Sequence, residues 1–186
     1  MLSALRILEL SIRPSVITPF FFAKLMDLDM SVHFENYFIE RTSILGEVLF
    51  YHLTLEALMV EIIRRDPNGP GESKLKRLSF AKKAEECLGL EKISSELHAA
   101  VLALNKVRNQ YAHRLGYEIS FEAALALAKL CSAAGVEFTD DVDSCTVEQA
   151  KELGYETLEL LNETFRNTFF AVVECQSEDQ WLEFTA

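Results

Sequence analysis

A helical repeat of apolar side chains constrains this chain more than any other feature. From Arg41 to Arg65, Ile44, Leu45, Val48, Leu49, Leu55, Leu58, Met59, Ile62 and Ile63 recur at steps of three and four, the spacing that gathers side chains on one face of an α-helix. A half-buried strand would need strict alternation, and no stretch of the sequence shows it. Asp66-Pro67-Asn68-Gly69-Pro70-Gly71 ends the helix, because neither the prolines nor the glycines can carry it on. The same spacing predicts a helix over 75–88, stopped by Gly89. Another starts at Ser94-Ser95-Glu96 and passes Leu97, Val101, Leu104 and Val107 to about Leu115, before Gly116. A third opens at Ser120-Phe121-Glu122, is apolar at Leu125, Leu127 and Leu130, and closes at Gly135. Thr146 caps a last long helix, over 146–175, with Leu153, Leu158, Leu161, Phe165 and Phe169 as its apolar positions. Residues 1–40 are less regular; Pro14 and Pro19 set a short segment apart from the run Phe20-Phe21-Phe22. The expectation is an all-α protein, an antiparallel bundle of five to six helices, in one domain over 1–186 with its core at about 40–175.

The longest apolar stretch, Val48 to Ile63, is interrupted by His52, Glu56 and Glu61, well short of the roughly 18–20 apolar residues that span a bilayer. Arg6 and Glu9 break the apolar stretch at the start of the chain, where a secretory signal would need it intact. The expected setting is therefore cytoplasmic, with no membrane partner. Cys87, Cys131, Cys145 and Cys175 include no CxxC pair. A zinc ribbon is thereby excluded, and small buried side chains are the expected role.

Net charge is −11, and its distribution matters more than its sum. Residues 135–186 carry thirteen acids against Lys151 and Arg166, which leaves residues 1–134 neutral. Within that neutral part lie two basic islands. One, at 64–83, holds Arg64, Arg65, Lys74, Lys76, Arg77, Lys82 and Lys83 against Asp66 and Glu72. The other, at 106–114, holds Lys106, Arg108 and Arg114 with no acid. Such islands attract phosphate at short range, since salt screens the rest of the molecule beyond about 10 Å; they are also what solvated helix ends look like. The acidic helix over 146–175 is expected to solvate the exterior of the bundle.

Several familiar sites are excluded by pattern. Gly69-Pro70-Gly71 follows no strand and is a turn, not a phosphate loop. No histidine has a glutamate three residues before it, and His-Glu-x-x-His is missing, so di-iron and zinc-protease centres have no ligands. Asp140, Asp141 and Asp143 lack the glycine and closing glutamate of a calcium loop. No metal or cofactor is expected. His52 falls in line with Leu45, Leu55 and Met59 and belongs in or beside the core, hydrogen-bonded and without function. His33 and His98 are expected at the surface or boundary.

His113 stands apart. It closes the segment Asn105-Lys106-Val107-Arg108-Asn109-Gln110-Tyr111-Ala112-His113-Arg114, which is dense in groups that bind phosphate or move protons. Asn109 and His113 share a helical face one turn apart. Arg108 and His113 are separated by about 140° around the axis and about 7.5 Å along it. One copy is an incomplete acid–base pair, whereas a two-fold partner would bring a second set alongside. Two histidines could then act as base and acid, with two arginines on the charge that develops at a phosphate. The bland alternative is a helix C-terminus whose cations suit the dipole, and a third reading is a phosphate ligand bound at Arg108.

Arg108-Asn109-Gln110-Tyr111-Ala112-His113, late in a long helix of an all-α bundle, resembles the Arg-polar…His motif of the HEPN superfamily. The order of features is closest to the mannitol operon repressor branch: the 41–65 helix, the Gly-Pro turn, Leu78-Ser79-Phe80-Ala81-Lys82-Lys83, Gly89-Leu90, then Val107 to His113 and Ile119-Ser120-Phe121. The resemblance covers about residues 40–125. It implies a homodimer joined through the motif helix. In catalytic members it implies a metal-independent endoribonuclease of toxin or defence type, in which RNA is cut by its own 2′-hydroxyl. Carried over, His113 would transfer protons, Arg108 would hold the phosphate and its transition state, and Asn109 would orient the site. Lys106, Tyr111 and Arg114 would bind RNA by charge and stacking. The sequence departs from the toxin pattern in having Leu115 where toxins paired with nucleotidyltransferase antitoxins carry a tyrosine; Tyr117 sits two residues further on. The repressor branch implies the alternative, a non-catalytic regulator of transcription or protein-interaction module with a regulatory protein partner.

Overall fold

The computed structural model describes residues 28–114, 116–139 and 141–176, with side chains from Leu45 onward. The chain divides into two compact units, residues 1–43 and 44–186, and the buried cluster formed by the described side chains lies in the second. The all-α expectation holds: among the described residues there are seven helices and no strand. They are α1 (Leu28–Arg65), α2 (Glu72–Leu75), α3 (Phe80–Gly89), α4 (Ser95–His113), α5 (Phe121–Ala133), α6 (Val147–Glu152) and α7 (Thr157–Glu174). No helix is long and apolar enough to cross a membrane among the described residues.

The helix starts follow from side-chain chemistry. Ser94, Ser120 and Thr146 each place an oxygen on the backbone N–H of the third residue on, satisfying a donor that the first turn leaves orphaned. At Thr146 the bond is reciprocated by Gln149, whose side chain accepts from the Thr146 N–H at 2.8 Å.

Two predicted helices prove to be pairs. The stretch 75–88 is interrupted after Leu75, and Ser79 starts a new helix by accepting from Lys82 N–H at 3.4 Å. Its end differs as well. Gly89 stays helical, and Glu91 takes the left-handed conformation at φ 57° while Lys92 N–H closes on the Cys87 carbonyl at 2.9 Å. The expected 146–175 helix breaks at Gly154, where φ is +87°. The apolar spacing runs unbroken through that point, so periodicity alone conceals it, and Leu153 is exposed there rather than packed. A Cβ at Gly154 would meet nothing within 4 Å. Gly154→Ala is therefore expected to cost only the left-handed backbone penalty, about 1–2 kcal/mol, read as a lower midpoint in urea unfolding with an unchanged slope.

Helix α5 packs along α7, α4 lies against α3, α5 and α7, and α6 touches α5. Val48, Leu55, Met59 and Ile63 of α1, Val101 and Leu104 of α4, and Leu160, Leu161, Phe165 and Val172 of α7 meet in one buried cluster. Helix α7 thus has two sides. Glu159 and Glu174 face outward, as the acidic composition suggested, while the other side forms much of the core. Its two buried threonines are satisfied locally: Thr164 Oγ1 donates to the Leu160 carbonyl at 2.6 Å, and Thr168 Oγ1 to the Thr164 carbonyl at 2.7 Å. Cys87, Cys131 and Cys145 are buried and Cys175 is exposed. Burial pushes the Cys87 thiol up to about 12 and the Cys131 thiol up to about 11, so neither forms a thiolate at neutral pH.

Candidate functional site at the end of helix α4

The two basic islands separate in the fold. Most cations of the first are consumed by carboxylates, several of them outside it in sequence. Arg64 binds Glu61 at 2.5 Å and Glu72 at 3.1 Å, and Arg65 binds Glu61 at 2.9 Å. Lys74 reaches Glu86, Lys82 reaches Glu85, and Lys83 reaches Glu56 at 2.5 Å. Lys83 is buried, and its pair ties α3 to α1. A phosphate would have to displace these carboxylates. The second island keeps its charge: among the described residues none of Lys106, Arg108 and Arg114 is in an ion pair.

Helix α4 ends at His113, with Arg114 leaving the helical conformation while its N–H still bonds the Gln110 carbonyl. Gly116, at φ 80°, turns the chain back. Lys106, His113 and Arg114 are exposed, while Arg108, Asn109 and Tyr111 are partly buried. Arg108 Nη1 donates to Asn109 Oδ1 at 2.9 Å. Arg114 Nη1 donates to Gln110 Oε1 at 3.2 Å, and its guanidinium stands 6.0 Å from the centre of the Tyr117 ring. Tyr111 is built into the fold. It packs against the core, meets Tyr117 edge-on at 5.0 Å between centroids, and its hydroxyl accepts the Ile119 N–H at 3.5 Å. The ring and its hydroxyl thereby tie the 117–119 turn to the end of α4.

Sequence reasoning missed what stands behind Arg108. His52 is where its register put it, 2% exposed in the core. Its partner is Asn105 of α4, with Nε2 3.0 Å from Oδ1, and its ring stacks on Phe80 of α3 at 4.1 Å and 22°. Asn105 and Arg108 are one turn apart on the same face of α4. Burial, and secondarily the Arg108 charge, hold the His52 imidazole below its ordinary range, outweighing the opposing Asn105 bond and Glu56. The only trace of this in the sequence is the polar residue on the apolar stripe of α1. His98 is half-buried, and His33 lies outside the residues whose side chains are described.

The His52 shift has a sign. An unfolded imidazole takes up its proton near pH 6.5, while the folded one stays neutral to lower pH. The unfolded chain then binds more protons, so stability falls as pH drops below about 6.5. Urea unfolding at pH 7.5 and 5.5 is expected to show that loss, and a smaller one in His52→Phe.

No group of three or more His, Cys, Asp or Glu is placed to hold a metal ion among the described residues. No protein-family model, no curated protein and no solved structure matches the chain.

Proposed function

We propose that the chain is a HEPN-like helical homodimer that cleaves RNA without a metal ion, using Arg108, Asn109 and His113. The observation that carries this reading is the contrast between the two basic islands. At the end of α4 an exposed imidazole, an arginine fixed by its neighbouring asparagine, and two further exposed cations share less than three helical turns. None of those cations has a carboxylate partner among the described residues. Proton transfer needs a reachable imidazole, and charge stabilisation needs an arginine not already neutralised.

A two-fold partner laid along α4 would supply the second imidazole and arginine, one as base toward the 2′-hydroxyl and the other as acid toward the leaving 5′-oxygen. The guanidinium would hold the phosphate as its charge grows. Such a reaction closes a 2′,3′-cyclic phosphate and needs no bound metal. The test is incubation of the pure dimer with a mixed RNA pool in EDTA. Endonucleolytic cleavage is expected, and its absence from folded, dimeric protein would overturn the reading.

A second reading, a non-catalytic regulator resembling the mannitol operon repressor, is favoured by a different surface. Phe50 and Leu53 of α1 are 64% and 57% exposed. Leu53 also lines a groove with Ala57, Val60 and Phe169, together with Glu56 and Lys83. A protein partner suits an apolar face of that kind, and on this reading substitutions at Leu53 matter while His113→Ala does not.

A further inference from the structure

Helix α1 carries a second apolar stripe besides the one it buries. Val48, Leu55, Met59 and Ile63 join the buried cluster. Around the helix from them, Gly46, Phe50, Leu53, Ala57, Val60 and Arg64 follow one another at alternating steps of four and three. Phe50 and Leu53 are 64% and 57% exposed; Gly46, Ala57 and Arg64 are exposed as well, and Val60 is partly buried. Alternating steps of four and three form the seam along which one helix packs lengthwise on another.

Gly46 marks the same face for a close neighbour. Glycine inside a helix is destabilising relative to alanine. A Cβ at Gly46 would meet nothing within 4 Å, so no contact among the described residues calls for a glycine there. A second helix lying against the stripe would.

We propose that this stripe is a seam between two copies of the chain, their α1 helices antiparallel. Turned end over end about a two-fold level with Leu55, the stripe meets itself in register: Phe50 opposite the partner's Val60, Leu53 opposite the partner's Ala57, and Gly46 opposite the partner's Arg64. Every layer sets a larger side chain against a smaller one, the arrangement by which facing rows interdigitate without a void. At each end Gly46 leaves room for the arginine stem, and Glu47, exposed beside it, meets the guanidinium. Within its own chain Arg64 already serves Glu61 and Glu72. The end pairs therefore set the register, while the apolar layers carry the affinity. The seam rests on neither functional reading: it uses no residue of 105–114, and a regulatory protein seated at Leu53 would compete with it.

Sedimentation equilibrium of the full chain, wild type beside Leu53→Glu over a concentration series, tests the seam. Wild type is expected to self-associate, and Leu53→Glu, which sets two carboxylates near the two-fold, to raise the dissociation constant of that step at least about 30-fold. Leu53 is exposed in the single chain, so the circular dichroism spectrum is expected to stay the same. Self-association indifferent to Leu53→Glu would overturn the seam, leaving a two-fold along α4 untouched; a wild-type chain that stays monomeric would overturn it too. Cross-linking reads the register independently. With the exposed thiol removed by Cys175→Ser, Phe50→Cys mixed with Val60→Cys is expected to give a disulfide-linked pair under a mild oxidant. Phe50→Cys alone is not, because its two copies stand about 15 Å apart along the seam. No cross-link in the mixture, or equal cross-linking by Phe50→Cys alone, would overturn the proposal.

Discussion

His113→Ala is expected to lower RNA cleavage by on the order of 100- to 10,000-fold, the usual contribution of a positioned general acid or base, while moving the melting temperature by less than about 2 °C. The two halves of that expectation come from one fact. His113 is exposed in the last turn of α4, and among the described residues its side chain has no hydrogen-bond partner, so its loss opens no cavity and strands no buried group there. Initial rates on a labelled RNA, beside thermal unfolding of both proteins, check it. A variant that melts far below wild type would make the imidazole structural. One that melts normally and keeps full activity would remove His113 from the chemistry.

The second large effect belongs to the core. Phe165 is 2% exposed on α7, within the buried cluster that α7 shares with α4 and α5. Phe165→Ala removes most of a buried ring and leaves a cavity that the surrounding helices fill only partly. A loss of about 3–5 kcal/mol is expected, or roughly 10 °C in melting temperature for a chain of this size. Urea unfolding followed by circular dichroism measures it, and a loss below about 1 kcal/mol would contradict the packing described for α7.

How far these features could be read in advance depended on the range of the interaction behind each. Local chemistry was legible. Ser94, Ser120 and Thr146 start helices as their side chains dictate, and the Pro-Gly run after Asp66 ends α1. The interruptions at Ser79 and Gly154 were hidden because leucines continue at helical spacing on both sides. What decides them is a cap and a left-handed glycine rather than hydropathy. The neutralisation of the basic island at 64–83 was hidden for a different reason: Lys83 finds Glu56 twenty-seven residues away, a pairing that only packing creates. The site divides in the same way. Arg108, Asn109 and His113 lie within one turn and a half and could be named together from the sequence. His52, fifty-three residues before Asn105, could be placed in the core by its register but not beside Arg108.

Two matched oligonucleotides test whether Arg108 and His113 cut RNA through its own 2′-hydroxyl. One is all-ribose, and the other carries a single 2′-deoxy sugar on the 5′ side of the cleaved bond; both are incubated with the folded protein in EDTA. A 2′,3′-cyclic phosphate end is expected from the first and an intact bond at the modified position in the second. Equal cleavage of both, or cleavage of the first only when magnesium is restored, would contradict it.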